Sequence, residues 1–182
     1  MGNENSKPDN KLKRFTKFEH ENIDKWSDDF YNVYPNECFT LKDLIRELRV
    51  YFPDTEVEPF SKHLFRAFSM NNEIGFHDFI KIYSYLIHGE KNQKLWLIFK
   101  LYDANNDDKL SKEDILTVFD DLTLMLKDVY TPNFNINGVI KEIFSQVKEK
   151  GIDFKRFREL ESKNNKAFKM LFCVFDNKNI EE

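Results

Sequence analysis

The sequence predicts an all-α protein of four helix–loop–helix units in two paired lobes, with short β-bridges between neighbouring loops. Two observations carry this prediction. Gly and Pro number only five each in 182 residues, which favours long helices over a turn-rich sheet. Four segments also share one shape, in which an apolar helix, a short polar loop and a single apolar residue precede a second helix. Those single apolar residues are Phe39, Ile74, Leu110 and Ile152.

Each loop follows an amphipathic run whose apolar residues recur at spacings of three and four, which places them on one helix face. The runs contain Trp26 and Phe30 in the first unit, Leu64, Phe65 and Phe68 in the second, Leu95, Trp96, Phe99 and Tyr102 in the third, and Ile140, Ile143, Phe144 and Val147 in the fourth. Stripes of this kind justify four helical hairpins around a core and, by themselves, nothing more.

The third loop, residues 103–114, has the spacing of an EF-hand calcium loop. Such a loop takes oxygen ligands from positions one, three, five, seven, nine and twelve, because a hard cation needs several oxygens converging from a tight turn. Here those positions are Asp103, Asn105, Asp107, the Lys109 carbonyl, Ser111 (through water) and Asp114. At position eight, Leu110 is expected to pair with the neighbouring loop. The sequence therefore predicts one Ca²⁺ or Mg²⁺ site, in the third unit.

Two departures from the usual loop predict a modest calcium affinity. Position six is Asp108 instead of Gly, although the backbone turns there with a positive φ that Asp adopts at some cost. Position twelve is Asp114, which is one methylene shorter than the usual Glu and reaches an ion with difficulty as a bidentate ligand. Because Mg²⁺ prefers six ligands, it loses less from this than Ca²⁺. The hypothesis is a mixed site that Mg²⁺ occupies at rest.

The other three loops lack ligands at the required positions. In the first, residues 34–38 (Tyr-Pro-Asn-Glu-Cys) replace the acidic positions, and Pro35 removes a backbone donor. In the second, residues 69–73 are two residues too few to wrap an ion. In the fourth, residues 148–151 are fewer still, and Arg156 stands where the last carboxylate belongs, so its guanidinium excludes a cation. We expect these three units to be scaffold.

The composition and the remaining motifs exclude several classes of function. A net charge of −4 without long basic runs provides no face for nucleic acid. No run approaches the ~20 apolar residues of a membrane-spanning helix. Cys38 and Cys173 match no metal or disulfide spacing. No nucleophile motif or Gly-rich phosphate loop is present, and the histidines fit no catalytic spacing, so we do not expect an enzyme. The histidines are His20, His63, His77 and His88.

The N-terminus fits the pattern Met-Gly-x-x-x-Ser for N-myristoylation, with Gly2 as the acceptor. Because one acyl chain binds membranes only reversibly, we expect a cytoplasmic protein that associates peripherally with membranes. The alternative is an unmodified basic tail.

These features divide the chain into four predicted parts. Residues 1–18 are a myristoylated arm, and residues 19–90 are an N-terminal lobe of two degenerate units. Residues 91–160 are a C-terminal lobe with the metal-binding third unit and the degenerate fourth, and residues 161–182 are a C-terminal helix and tail. The apolar part of that tail, residues 167–175, is a last core helix, a lid over a groove, or an exposed docking strip; the last would be an aggregation liability.

From Phe15 to about Phe175 the chain resembles the superfamily of neuronal calcium sensors, calcineurin B subunits and calcium-and-integrin-binding proteins. The Gly2 motif, the Tyr34-Pro35 turn and residues 51–53 (Tyr-Phe-Pro) are similar to the neuronal calcium sensors. Residues 93–95 leading into residues 99–103 are similar to all three groups. Residues 58–60, the Asp at position twelve and residues 168–169 resemble the integrin-binding group.

The resemblance implies a regulatory protein that binds an amphipathic helix of a target in an apolar groove between paired EF-hands. Implied targets are a membrane protein, kinase, phosphatase or cyclase. We expect a calcium sensor whose third loop alters target affinity; the alternative is a calcium-insensitive light chain or structural subunit held constitutively on its partner. The candidate groove residues are Trp26, Phe30, Phe52, Phe65, Phe68, Phe79, Tyr83, Trp96 and Phe99.

Overall fold

The computed structural model describes residues 20–69, 72–127, 135–145, 147, 150–163, 167–168 and 171, so the predicted arm and Gly2 lie outside the described residues. The helices are α1 His20–Val33, α2 Leu41–Tyr51, α3 Val57–Phe68, α4 Phe76–His88, α5 Lys91–Tyr102, α6 Lys112–Leu126, α7 Ile136–Phe144 and α8 Phe154–Lys163. Two short strands accompany them, β1 Cys38–Phe39 and β2 Ile74–Gly75. The all-α prediction is confirmed.

Short β-bridges join the helix–loop–helix units in pairs. Strand β1 pairs antiparallel with β2, and Phe39 lies opposite Ile74 in this register. Leu110 and Ile152 form the equivalent bridge in the second half, with a backbone N–H to O distance of 2.8 Å in each direction. All four side chains are buried. The single apolar residue of each loop is therefore the residue through which the loop joins its neighbour, as the sequence predicted.

Helix starts are fixed by local side-chain chemistry. Helices α2 and α6 begin with the same capping box, formed by Thr40 with Asp43 and by Ser111 with Asp114. In each box the hydroxyl oxygen accepts a hydrogen bond from the backbone N–H of the third helical residue, and the carboxylate accepts one from the N-cap backbone. This satisfies N–H groups that have no partner inside the helix.

Buried apolar side chains form two clusters. The smaller lies among α1, the β1–β2 pair and α4, with Phe65 added from α3. The larger contains α5 to α8 together with Val57, Phe60 and Ala67 of α3. Helix α3 therefore shares its apolar side chains between both clusters and packs against α2, α5 and α6. The lobe boundary at residues 90–91 stays a prediction.

Three residues of the tail belong to the larger cluster. Ala167, Phe168 and Leu171 are fully buried, and the Phe168 ring lies 5.0 Å from that of Phe157. The Tyr102 hydroxyl donates a hydrogen bond of 3.4 Å to the Leu171 carbonyl. These residues are not part of an exposed strip, because burial gives them partners in the core. The core-helix and lid interpretations both agree with these contacts, and the remainder of residues 167–175 lies outside the described residues.

Candidate metal centre

The first half of the third loop is closed by its own carboxylate and amide side chains. Asp103 is completely buried, and its two carboxylate oxygens accept hydrogen bonds of 3.1 Å from the backbone N–H groups of Asp107 and Asp108. The Asn105 side-chain oxygen also accepts from the Asp107 N–H, at 2.9 Å, and Asp107 accepts from the Lys109 N–H at 2.9 Å. Successive turns of this kind hold positions one, three and five on one compact loop.

The backbone of the loop turns through the left-handed region at two positions. Asn106 has a φ of 58° and Asp108 has a φ of 60°. The second value is the conformation that the sequence predicted for position six. Asn and Asp adopt this geometry more readily than other residues with side chains, so the loop forms without a glycine.

The second half of the loop forms the capped start of α6. The Asp114 carboxylate accepts a hydrogen bond of 2.6 Å from the Ser111 hydroxyl and one of 2.8 Å from the Ser111 backbone N–H. Asp114 is 5% exposed. The residue predicted to supply the last ligand therefore uses one carboxylate oxygen as a helix cap.

The residues present fit a divalent ion in part. Three oxygen-bearing side chains, at positions one, three and five, lie on the same turn and are of the type that Ca²⁺ and Mg²⁺ prefer. Among the described residues, however, no three His, Cys, Asp or Glu side chains converge in a metal-binding group. Position three is an amide, and the Asp114 carboxylate is held on Ser111. The six-ligand set therefore stays a prediction.

A lysine ammonium lies against the loop. Lys100 Nζ is 3.3 Å from Asp103 Oδ2, 2.9 Å from Asn106 Oδ1 and 3.0 Å from Asp108 Oδ1. The Lys100 side chain is 17% exposed. Lys100 stands one helical turn before Asp103, so their contact has the i, i+3 spacing that a helix favours. The spacing was readable in the sequence, but the contact was not predicted.

An arginine from the second unit lies on the other side. Arg66 donates hydrogen bonds of 2.9 Å to the carbonyls of Leu101 and Ala104, where α5 ends and the loop begins. Arg66 also contacts His63 Nδ1 at 2.9 Å, and His63 Nε2 lies 2.8 Å from the Asp121 carboxylate on α6. A cation at a helix C-terminus is favourable because carbonyl groups there lack helical partners. No sequence pattern indicated this network, because it joins residues far apart in the chain.

Burial lowers the pKa of Arg66, and the carboxylates of Asp103 and Asp114 act in the opposite direction. The opposing effect shows that the Arg66 charge interacts with the first and last acidic positions of the loop. Two cations from different helices thus face the acidic loop, Lys100 in direct contact and Arg66 at longer range.

The other loops show different contacts. Glu37 and Asn72 have positive φ angles in the first and second loops. In the fourth, the Arg156 backbone N–H donates to Asp153 at 2.7 Å, and the guanidinium contacts Glu159 at 3.1 Å. Arg156 also lines a cleft of about 680 Å³ that it shares with Asp114. Residues 70–71 and 148–149 of these loops lie outside the described residues, and their scaffold role stays a prediction.

Three of the predicted groove residues are core residues. Phe30, Phe65 and Phe99 are 6%, 5% and 2% exposed, because their helix faces point into the two buried clusters. Their place in a target groove stays a prediction, since a helical stripe does not say which of its members meets solvent.

The remaining six groove candidates reach the surface to some degree. Trp26, Phe52 and Phe68 are half-buried. Phe79, Tyr83 and Trp96 are 42%, 39% and 41% exposed. The structure brings three of the six together, since the rings of Phe79 and Tyr83 stack at 6.4 Å and Trp26 meets Tyr83 edge-on at 5.7 Å.

Paired helix–loop–helix units, bridged through one apolar residue per loop and with one loop closed on acidic side chains, define an EF-hand protein. No family model matches the chain. Among curated proteins, human (Homo sapiens) recoverin is 27% identical over 128 residues, 64% of each chain. S-modulin of Aquarana catesbeiana is 28% identical over 105 residues, which cover 57% of this chain and 52% of S-modulin. Visinin of Gallus gallus is 23% identical over 119 residues, which cover 64% and 62%.

The chain thus spans between half and two thirds of the length of each of these relatives. All three are neuronal calcium sensor EF-hand proteins, and their likeness to the chain at 23–28% identity supports a divergent relative of that group. The superfamily that the sequence motifs indicated is confirmed. Among the described residues, no helix has the length and apolar character needed to cross a membrane.

Proposed function

We propose that the chain is a calcium-binding regulatory protein of the EF-hand sensor type, with one divalent-ion site at the third loop. The observation that carries this proposal is the closed geometry of residues 103–109, in which a buried Asp103 organises the turn and left-handed residues stand at positions four and six. The side chains of Asp103, Asn105 and Asp107 with the Lys109 carbonyl are the proposed first ligands. Ser111, through water, and Asp114 complete the set.

Ion binding would act on the rest of the molecule through α6. An ion in the loop competes with Ser111 for the Asp114 carboxylate, whose cap fixes the start of α6. Helix α6 packs against α3 and is joined to it by the pair between Asp121 and His63. A shift of α6 would therefore reach α3, which contributes apolar residues to both buried clusters.

The target surface we propose lies on α4 and α5. Phe79, Tyr83 and Ile87 stand four residues apart on α4 and are 42%, 39% and 50% exposed. Trp96 on α5 is 41% exposed. Large apolar side chains at helical spacing suit the apolar anchors of an amphipathic target helix. Tyr83→Ser should weaken the binding of a helical amphipathic peptide measured by fluorescence anisotropy. Val50→Ser, a change at another exposed apolar residue, is the control and should not.

Peripheral membrane association through myristoyl-Gly2 is part of the same proposal. The sequence motif supports it, and a single acyl chain requires a second contact for stable anchoring. Co-expression with an N-myristoyltransferase should add the mass of one myristoyl group, and Gly2→Ala should abolish both the added mass and sedimentation with anionic vesicles. An unchanged mass for the natural chain would remove the lipid from the proposal.

The ion site is tested by calcium titration in millimolar magnesium, followed by calorimetry and by tryptophan fluorescence. Trp96 stands on the helix that leads into the loop, and Trp26→Phe leaves it as the reporter. We expect a saturable response that Asp103→Ala abolishes. Asp43→Ala is the matched control, because Asp43 makes the same capping contacts in the first loop without being a ligand. Loss of the response in both variants would attribute it to folding and not to ligation.

A calcium-insensitive light chain is the second candidate, and a specific observation favours it. The loop carboxylates already have partners, since Asp114 is held by Ser111, and Asp103 and Asp108 contact Lys100. If calcium produces neither heat nor a fluorescence change, the light-chain function is supported, and the target peptide should then bind equally with calcium and with chelator.

A further inference from the structure

We propose that Lys100 is a built-in counter-ion of the third loop, whose ammonium competes with the divalent ion and sets the affinity of the site. This inference rests on the proposed ion-binding function. It begins from three contacts of one ammonium group with loop oxygens, at 3.3 Å to Asp103, 2.9 Å to Asn106 and 3.0 Å to Asp108. The ammonium has three donors, and the three oxygens match them in number.

The burial of the two main partners makes the contact more than a surface ion pair. The Asp103 side chain is 0% exposed and that of Lys100 is 17% exposed. Charges partly removed from water interact more strongly than exposed ones, because solvent screens them less. The negative charge of Asp103 is thus neutralised within the chain by the Lys100 ammonium.

The residue at position six strengthens this arrangement. A glycine there would provide no carboxylate, whereas Asp108 has the required left-handed φ of 60° and adds a second acidic partner for Lys100. The side chain that replaces glycine at position six is therefore one of the groups that hold the ammonium in place.

The ammonium and a bound ion would repel each other. An ion coordinated to Asp103 lies about 2.3–2.6 Å from a carboxylate oxygen, so it would be within about 8 Å of Lys100 Nζ. Like charges at such a distance repel at the edge of a protein. Ion binding must therefore displace the ammonium or tolerate the repulsion, and either one lowers the affinity for a divalent cation.

The test compares Lys100→Met with Lys150→Met. Both changes remove one positive charge beside the third loop, because Lys150 lines the cleft next to Asp107 and Ser111. The exposed Lys150 ammonium is not a proposed ligand and makes no ion pair with any described residue. Calcium dissociation constants are measured by calorimetry at fixed ionic strength, and melting temperatures are measured in chelator and in saturating calcium. We expect Lys100→Met to bind calcium roughly fivefold more tightly, which is an ordinary coupling between neighbouring sites. We expect Lys150→Met to change the calcium dissociation constant little.

The melting temperatures separate competition from a purely structural role. Lys100→Met should melt at a lower temperature than the natural chain in chelator and at an equal temperature in saturating calcium, because the contact stabilises the ion-free form alone. Equal tightening by both variants, or no tightening in Lys100→Met, would overturn the competition while leaving the ion site intact. Absence of calcium binding in all three proteins would overturn the proposed function itself, and the competition with it.

Asp108→Gly provides a second line of evidence. If the ammonium is held by both acidic partners, Lys100→Met should tighten binding less in the Asp108→Gly background than in the natural chain. Equal tightening in the two backgrounds would show that Asp108 takes no part in holding the ammonium and would overturn that step of the inference.

Discussion

The first and third loops share one half and differ in the other. Both exit through the same capping box: the hydroxyl-to-carboxylate distance is 2.6 Å in Thr40–Asp43 and 2.6 Å in Ser111–Asp114. Before the box the two loops share a buried bridge residue, Phe39 or Leu110, and a positive φ two residues earlier, at Glu37 or Asp108. They differ in the residues that precede this turn. The third is closed on the buried Asp103, whereas the first runs through Tyr34 and Pro35 to Glu37 at a φ of 62°.

The comparison shows which part of such a unit belongs to folding. The position-twelve carboxylate starts a helix in both loops, although only the third loop has acidic side chains at positions one and five. An acidic residue at position twelve is therefore weak evidence for ion binding in this chain. The side chains in the first half of each loop distinguish the third loop from the first.

The largest effect on stability is expected from substitutions of the bridge residues. Leu110 is fully buried in the larger cluster, so Leu110→Ala should lower the free energy of unfolding by about 2–5 kcal/mol. Because Leu110 lies inside the third loop, the change should also weaken calcium binding. Phe39→Ala is the counterpart in the first loop and should destabilise without altering the calcium dissociation constant measured by calorimetry. A change in that constant of equal size in both variants would contradict the division between the two loops.

The next largest effect is expected from a substitution of the arginine near the third loop, compared with one near the first. Arg66→Met leaves the Leu101 and Ala104 carbonyls without their donor and should cost roughly 1–3 kcal/mol in urea unfolding. Arg46 pairs with Asp43 and Glu47, and its side chain is 58% exposed, so Arg46→Met should lower the free energy of unfolding much less. Similar losses from both variants would show that the contacts of Arg66 with α5 do not stabilise the fold.

The contrast between these arginines shows which contacts could be predicted from the sequence and which could not. Helical periodicity predicted the helices, and the single apolar residue of each loop predicted the pairing of Leu110 with Ile152, because both features are local and repeated. The contacts of Arg66 join segments 35 and 38 residues apart, so no local pattern contains them. Burial is equally non-local: Phe30 and Phe79 share the predicted groove pattern, yet one is 6% and the other 42% exposed.

A third, smaller effect is expected from a substitution at position twelve. Asp114→Glu lengthens the side chain by one methylene and should strengthen calcium binding about tenfold, or about 1.4 kcal/mol, by giving the ion a second oxygen. Asp43→Glu in the first loop should create no calcium site, because that loop lacks the preceding ligands. Calorimetry on both variants checks the pair of expectations. Calcium binding gained by Asp43→Glu would show that position twelve, and not the first half of the loop, decides ligation.

The smallest effect concerns pH and the first loop alone. Burial opposes the ionisation of Asp43, but hydrogen bonds from Thr40 and the charge of Arg46 outweigh it and lower the pKa of this carboxyl. A lowered folded-state pKa stabilises the protein above the unfolded value of about 3.9, and the contribution is lost as the pH falls through the folded pKa.

Asp43→Asn should therefore be less stable than the natural chain at neutral pH, with a difference that shrinks as the pH falls toward about 3. Urea unfolding at both pH values measures it, and Asp54→Asn, at an exposed position outside the loops, is the control. A difference that stays constant with pH would mean that Asp43 stabilises α2 by the shape of its hydrogen bonds and not by its charge. In that case we would also expect the capping box of the third loop to depend on the hydrogen bonds of Asp114 and not on its charge.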